Sequence, residues 1–251
     1  MRGAIAVLLV LALAGCRGGG DGQRDDPVAN APAVSALPHD RAAVEAWNRA
    51  HAAGRTTGLE LVGVDRSGLD LGALDLSGLD LAKAKLGGAK LVGADLRETR
   101  LGKADLRNLD VREARLDGAT LDHAQVTGIV LTDASAEGLG MRWVDLRDAD
   151  LRRTNFHEAD LRGTSFVGAV IEDTRLDRAD LRGADLRGVD LSSASMIDVD
   201  LRGAKADEAT RWPAGIREPI ARGVELDGVT AKGLALEHDA QKRQAAEGDS
   251  D

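Results

Sequence analysis

The chain has 251 residues, a formal net charge of −9 and only one cysteine, Cys16. The acidic balance argues against a general nucleic-acid binder, because such a protein needs a basic surface to neutralise phosphates, and a single cysteine excludes an internal disulfide. Aromatic residues make up 2% of the chain and glycines number 30, which favours a narrow, repetitive interior of Leu, Val and Ala over an irregular globular core.

The first sixteen residues, MRGAIAVLLVLALAGC, have the pattern of a bacterial export signal. Arg2 supplies the positive start, and the apolar run that follows is too short to span a bilayer as a helix. The run ends in LAGC, which resembles the lipobox of bacterial lipoproteins, where cleavage leaves the cysteine N-terminal for acylation. We therefore predict a lipoprotein signal peptide over residues 1–15 and lipidation of Cys16. The alternatives are an ordinary signal peptide with a coincidental cysteine, or a start codon assigned too early.

Residues 16–38 are rich in Gly, Asp, Pro and Ala, and they predict a flexible tether. Acyl chains on Cys16 would hold the protein on a membrane, each buried CH₂ contributing roughly 0.8 kcal/mol. Residue 17 is Arg and not Asp. By resemblance to the sorting rule of enteric bacteria, this favours the outer over the inner membrane. The predicted location is the cell envelope.

Residues 39–54 predict a short amphipathic helix. Asp40 suits the N-cap position, and Val44, Trp47 and His51 fall on one helical face. A helix directly before a repeat array is placed to cover its first open edge. We therefore predict an N-terminal capping helix here.

From residue 59 to about residue 209 the sequence repeats every five residues without insertion or deletion. Typical units read GLDLS, GADLR and RADLR. The repeat position that we call i carries Leu, Val, Ile, Met or Phe, position i−2 is small or apolar, and position i−1 is typically Asp. The exceptions at i are Arg66, Ala136 and Ala206.

A period of five fits neither an α-helix, where successive leucines would scatter around the axis, nor a flat strand, where they would alternate between faces. A chain that turns a corner in every repeat points each i side chain inward. If four repeats close one coil, residues twenty apart stack at about 4.8 Å, although the sequence alone leaves three or four sides open.

The A(D/N)Lxx pattern over residues 59–209 resembles the pentapeptide-repeat family. This resemblance implies an all-β solenoid, a right-handed quadrilateral β-helix of about seven and a half coils at the spacing above. Similar short Trp-bearing helices precede the repeats in the family. The segment EATRWPAGI resembles the family's terminal segment, so residues 210–236 predict a C-terminal cap in which Trp212 covers the last coil. Residues 237–251 are polar and predict a disordered tail.

Stacking by twenty places Arg142, Arg162, Arg182 and Arg202 in one exposed column. An acidic column lies beside it and contains Asp160, Asp180 and Asp200. One interpretation is a binding ladder for an anionic partner. The other is a surface zipper in which the two charges neutralise each other, which contributes little stability.

Trp143 falls at an outward position next to Arg142. It is either a contact residue for a partner or a cover over the gap left by Ala136. Val167, Val170 and Ile197 form a weaker candidate patch. With the charged columns, Trp143 completes the predicted partner surface.

No enzyme signature, cofactor site or metal site is predicted, since the five histidines share no metal-ligand spacing. The leading hypothesis is a non-catalytic, membrane-anchored rod that presents a surface for protein–protein interaction or serves a structural role in the envelope. The partner protein is unknown, no direct nucleic-acid contact is expected, and the resemblance allows a homodimer. The alternative is a DNA mimic that binds gyrase or another topoisomerase, as quinolone-resistance members of the family do. A third hypothesis is carbohydrate or metal binding by an exposed column.

Overall fold

The computed structural model describes residues 44–52, 63–216 and 223–226. The predicted signal peptide, the lipidation site Cys16, the tether and the polar tail lie outside the described residues. Helix α1 spans Val44–Ala52, strand β1 spans Lys205–Ala206 and strand β2 spans Glu225–Leu226. The rest of the described chain consists of tight turns joined by single-residue parallel bridges.

The bridges fix the register of the solenoid. They join the i−1 residues of successive coils, with Asp105 paired to Lys85 and to Gln125. Backbone hydrogen bonds beside the bridges join the same coils. For example, the amide of Leu101 donates to the carbonyl of Thr120 at 2.7 Å. Twenty residues are four pentapeptides, so the coil has four sides and the three-sided alternative is excluded.

Each corner of the coil depends on a left-handed residue at position i+2. Within one repeat the amide of Ala104 donates to the carbonyl of Leu101 at 3.0 Å, which closes the turn. The residue at i+2 then has a positive φ, for example 60° at Lys103 and 67° at Gly163. Glycine adopts this conformation without steric penalty, which explains its frequency at this position.

The i side chains form a continuous dry interior that begins at Leu71 and reaches Ile216. Small side chains at i−2, such as Ala104 and Ala124, are buried beside them. Arg66, at the first described i position, is only partly buried. The apolar core of the coils therefore begins at the next repeat, with Leu71.

Ala136 is fully buried, and the next residue in its column is Phe156. The two residues belong to adjacent coils, since the amide of Ala136 donates to the carbonyl of Asn155 at 2.8 Å. A large side chain therefore stands next to the smallest one in the same column.

Buried threonines at i−2 are hydrogen-bonded to the coil below. Thr154 Oγ1 donates to the carbonyl of Leu131 at 2.8 Å, and Thr174 Oγ1 donates to that of Leu151 at 2.7 Å. A buried hydroxyl without a partner would destabilise the fold, so this bond explains why Thr can replace Ala at i−2.

Helix α1 packs against the first described coil. Val44, Trp47 and Ala50 are buried, and the indole Nε1 of Trp47 donates to the carbonyl of Asp75 at 2.5 Å. His51 is partly exposed, and its Nε2 lies 3.0 Å from the carbonyl of Ser77. The helix face that the sequence predicted therefore packs against the rod, and the buried Ala50 also belongs to this face.

The coil register continues past the predicted boundary at 209. The bridge from Asp190 goes to Arg211, one residue later than twenty, because a turn closed by Asp207 and Thr210 takes up the extra residue. β1 then pairs in parallel with β2 at the regular spacing. Trp212 is partly buried and packs against the core. No helix in the described ranges is long and apolar enough to cross a membrane.

Candidate interaction surface

The Asp-Leu-Arg unit of the repeat is a local structural device. Asp180 Oδ1 accepts the backbone amide of Arg182 at 3.2 Å, and the guanidinium Nη2 of Arg182 donates to Asp180 Oδ2 at 2.6 Å. The carboxylate therefore satisfies a corner amide and is neutralised by the side chain of the same residue. In the equivalent pair, the hydrogen bond from Arg162 lowers the pKa of Asp160, although partial burial opposes it.

The predicted Arg and Asp columns form one alternating ladder. Arg162 Nη2 lies 2.6 Å from Asp160 Oδ2, and its Nε lies 3.6 Å from Asp180 Oδ2 in the next coil. Arg182 repeats the arrangement with Asp200 at 3.7 Å. The two ends of this column differ from the middle. Arg142 has no Asp in its own repeat, so it pairs with Asp122 of the previous coil and reaches Asp160, while Arg202 pairs with Asp200. This geometry matches the neutralised zipper, because each guanidinium is paired within the rod.

Trp143 is one of three exposed large apolar side chains in the described residues, and 64% of it is exposed. A methyl group added at Gly163 would overlap the indole ring, so the ring lies flat over that glycine in the next coil. The expectation that Trp143 covers the gap at Ala136 is therefore wrong, and Phe156 occupies the position next to Ala136.

Val167, Val170 and Ile197 do not form one patch. Val170 is 49% exposed on the side of the coil that bridges to Asp150. Ile197 is 65% exposed, but it lies at the corner above Asp177, whose Oδ1 accepts its amide at 2.9 Å. In a four-sided coil this corner lies diagonally opposite the one that carries Val167, so the predicted patch is corrected to separate residues.

The sequence analysis did not identify a second kind of aspartate contact. At Ser135 and Ser195 the repeat lacks its usual carboxylate, and an aspartate at i+1 of the previous coil replaces it. Asp177 Oδ1 accepts from Ser195 Oγ at 2.5 Å and also caps the Ile197 amide. Burial acts to raise the pKa of Asp177, but the hydrogen bonds from Ser195 and Ile197 outweigh it and the pKa is lowered. Asp117 makes the same contact with Ser135. The available signal was a Ser at i−1 with an Asp eighteen residues before it.

None of the described residues groups as a metal-binding cluster of His, Cys, Asp and Glu. The described carboxylates of the ladder are partly exposed and paired with Arg. The arrangement can therefore hold a charged, rigid surface, and among the described residues Trp143 is the exposed large apolar side chain at this corner.

Comparison with known proteins gives one family match. The family model described as pentapeptide repeats matches in eight copies. The matched residues are 61–97, 75–112, 94–133, 141–176 and 174–210. Together these segments cover more than half of the chain. No curated protein matches the sequence.

Several solved structures are similar to this chain. HetL, a pentapeptide repeat protein involved in heterocyst differentiation regulation from the cyanobacterium Nostoc sp. strain PCC 7120, is 22% identical over 72% of this chain and 91% of its own, with a TM-score of 0.41. QnrB1, a plasmid-mediated fluoroquinolone resistance protein, is 18% identical over 72% and 90%, with a TM-score of 0.47. A further pentapeptide repeat protein from Nostoc is 26% identical over 59% and 84%, with a TM-score of 0.22. Such proteins form right-handed quadrilateral β-helices.

Proposed function

Because this chain belongs to the pentapeptide-repeat family, we propose that it is a non-catalytic protein-binding rod held at the bacterial cell envelope by an N-terminal lipid. Proteins of the family generally have structural or protein-interaction roles. The observation that carries the binding proposal is the exposure of Trp143, which is 64% solvent-accessible while the i side chains around it are buried. An exposed, rigidly held Trp is typical of a contact residue in a protein interface.

The scaffold supports this role because it holds Trp143 in place before a partner binds. The Trp143 amide donates to the carbonyl of Arg162 at 3.0 Å, and the His123 amide donates to the carbonyl of Arg142 at 3.1 Å. The corner is therefore fixed to the coils on both sides. A side chain that is ordered in advance loses less conformational entropy on binding.

The charge pattern supports protein binding over DNA mimicry. A DNA mimic needs dense negative charge that is free to meet a DNA-binding surface. Here many outward carboxylates have an Arg partner within the rod. Such pairs involve Asp95, Asp105, Asp110, Asp145, Asp150, Asp160, Asp180, Asp185 and Asp200.

The anchor part of the proposal rests on the sequence. An apolar run that ends in LAGC at Cys16, followed by a Gly- and Asp-rich tether, is the pattern of an exported lipoprotein. Two or more acyl chains on Cys16 would give stable membrane attachment. Arg17 after the cysteine favours the outer membrane.

The anchor is tested by labelling cells with radioactive palmitate. We expect incorporation into the wild-type protein, sensitivity of its processing to globomycin, and loss of label in Cys16→Ser. A matched control carries Cys16→Ser together with Ser35→Cys, which restores a thiol at another position of the tether and should stay unlabelled. Label in either variant contradicts acylation at Cys16.

The binding surface is tested by placing a photo-crosslinking amino acid at position 143 and irradiating whole cells. We expect one discrete adduct from this position. The control places the same group at Val170, which is also exposed but lies on another side of the coil. Identical adducts from both positions, or none from 143, contradict a specific contact at Trp143.

The DNA-mimic alternative is tested with the protein lacking residues 1–15 in a gyrase supercoiling assay. Our proposal expects no inhibition at micromolar concentrations. Inhibition that depends on the outward carboxylates would establish the alternative instead.

A further inference from the structure

Four exposed residues form a ridge along the corner that ends at Trp143. Lys83, Lys103, His123 and Trp143 each occupy position i+2 in successive coils. The Lys83 amide donates to the carbonyl of Gly102 at 3.0 Å, and the Lys103 amide donates to that of Asp122 at 3.1 Å. We call these four residues the corner ridge.

The two lysines of the corner ridge carry uncompensated charge. Most basic residues around them are paired: Lys85 lies 3.7 Å from Asp65, and Arg100 lies 3.4 Å from Asp80. Across the ranges that the structure describes, neither Lys83 nor Lys103 has a carboxylate within ion-pair distance. Asp122, beside the corner ridge, is already bonded to Arg142. The ridge is therefore a short cationic strip on an acidic protein.

The four residues of the corner ridge share one backbone conformation. All four residues have a positive φ between 58° and 60°, a conformation that disfavours side chains and that glycine adopts freely. The same column continues with Gly163, Gly183, Gly203 and Gly223. Eleven other described non-glycine residues also have a positive φ, so the corner ridge is distinguished by its unpaired lysines and its exposed Trp, and not by its backbone conformation. Gly163, which follows Trp143 in this column, also gives the indole ring a flat surface to rest on.

We propose that the corner ridge is the docking site for an acidic helix of a partner protein, an inference that rests on the proposed protein-binding function. One coil advances about 4.8 Å, and one turn of an α-helix advances about 5.4 Å. A helix with one carboxylate per turn can therefore follow the lysines, since the mismatch over three steps is about 2 Å. An apolar residue at the next turn would lie on Trp143.

The chemistry of the strip favours such a helix over other anionic partners. Nucleic acid needs a basic surface that contacts many phosphates, whereas the corner ridge offers two unpaired lysines on a chain of net charge −9. A lipid surface attracts clusters of several basic residues. A short acidic helix needs only a few complementary charges and one apolar contact.

The probe is a fluorescein-labelled helical peptide of about five turns, with one Glu per turn on a single face and a Leu at the end of that face. Anisotropy titration with the wild-type protein at low salt should show saturable binding. Lys83→Glu together with Lys103→Glu should weaken it at least about tenfold, because charge reversal at a complementary contact repels the ligand. Trp143→Ala should weaken it as well.

The matched control is Arg153→Glu together with Arg178→Glu. Both arginines are exposed and have a positive φ, but they lie at other corners, where they pair with Asp133 and Glu158. The control therefore matches the change in net charge and the backbone conformation, and not the pairing. We expect unchanged affinity. An equal loss in the control would reduce the effect to net charge and overturn the proposal. The proposal is also overturned if a peptide with the same Glu residues scattered around the helix binds as tightly as the peptide with all of them on one face.

Two other outcomes also overturn the inference. Binding of anionic vesicles or single-stranded DNA through the corner ridge, without peptide binding, would assign it to a lipid or nucleic-acid surface. A discrete adduct from position 143 that survives the Lys83 and Lys103 reversals would preserve the protein-binding function while refuting this docking site.

Discussion

The aspartate of each repeat has a structural reason that precedes any role in binding. At the corner of the coil the backbone amide of residue i+1 points away from the bridges, and Asp Oδ1 accepts it, as in the 3.2 Å bond from the Arg182 amide to Asp180. An unsatisfied amide would destabilise the fold. The outward carboxylates at i−1 therefore stabilise the turns in which they occur, although residues such as Lys85, Thr120 and Val130 also occupy this position.

Asp177 offers a test of this reasoning, because it caps the amide of a different coil. Asp177→Ala removes the acceptor for the Ile197 amide and for Ser195 Oγ. We expect a loss of about 1–3 kcal/mol in the free energy of unfolding, measured by urea denaturation. Glu172→Ala is the control, since Glu172 is also at i+1 but exposed, and it should change stability by less than about 0.5 kcal/mol. Equal effects of the two substitutions would contradict a capping role for Asp177.

The ordinary Asp-Leu-Arg units could be predicted from the sequence, but the contact of Asp177 with Ser195 and Ile197 of the next coil could not. The ordinary unit is local, since donor and acceptor lie two residues apart and recur at every fifth position. The Asp177 contact spans eighteen to twenty residues and becomes visible only when the coil length is known. Trp143 was ambiguous for the same reason, because its resting place, Gly163, lies twenty residues away.

The Asp–Arg pairs of the repeats, including those of the ladder, make the stability of the rod depend on pH. Hydrogen bonds from Arg97, Arg107, Arg112, Arg162 and Arg202 lower the pKa values of their partner aspartates, although partial burial opposes this. The side chain of Asp in an unfolded chain has a pKa of about 3.9. A group whose pKa is lower in the folded state stabilises the fold above its unfolded pKa, and this stabilisation is lost as the pH falls through the folded pKa.

We therefore expect the melting temperature to be nearly constant from pH 7 to 5 and to fall below about pH 4. In Arg162→Gln the pKa of Asp160 should return toward its ordinary value, so the drop between pH 7 and 3 should shrink. The effect is modest, because an exposed pair contributes about 0.2–1 kcal/mol. Lys103→Gln removes an unpaired cation and should leave the drop unchanged. A wild-type melting temperature that stays flat to pH 3 would contradict the ladder's contribution.

Helix α1 is bound to the first described coil through Asn48 as well as Trp47. Asn48 Nδ2 donates to the carbonyl of Ala73 at 2.9 Å, and Asn48 Oδ1 accepts the amide of Asp75 at 2.8 Å. The side-chain amide thus pairs with the open edge of the coil as a neighbouring strand would. The sequence predicted the helix and its apolar face, but Asn48 carried no signal, because its role depends on where the helix docks.

Asn48→Ala should loosen this edge, and we expect it to cost about 1 kcal/mol. The measurement is amide hydrogen exchange, in which protection of Asp75 and its neighbours should fall while the central coils keep theirs, since coils interact mainly with adjacent coils. Ala52→Ser changes the exposed last residue of the helix and should leave exchange unaltered. Unchanged protection of the Asp75 amide in Asn48→Ala would contradict a capping role for α1.

The whole rod follows from repetition, and for that reason most of it could be read from the sequence. Every described i residue from Leu71 onward is part of one core, and even Ala136 obeys the rule, because it is fully buried in the same column as Phe156. Departures from the period were not predictable. The extra residue before Arg211 produces no break in apolar pattern, and its turn is held by Asp207 through tertiary bonds.

The twenty-residue coil is the geometry on which the ladder, the corner ridge and the exposure of Trp143 depend, and engineered disulfides measure it directly. In a Cys16→Ser background, Ser135→Cys with Asn155→Cys places thiols on bridged neighbours, within the Cα separation of about 4.4–6.8 Å that a disulfide requires. Ser135→Cys with Asp150→Cys, fifteen residues apart, tests a three-sided coil. We predict rapid, complete oxidation of the 135/155 pair and none of the 135/150 pair. Oxidation of the 135/150 pair while the 135/155 pair stays reduced would contradict the four-sided rod.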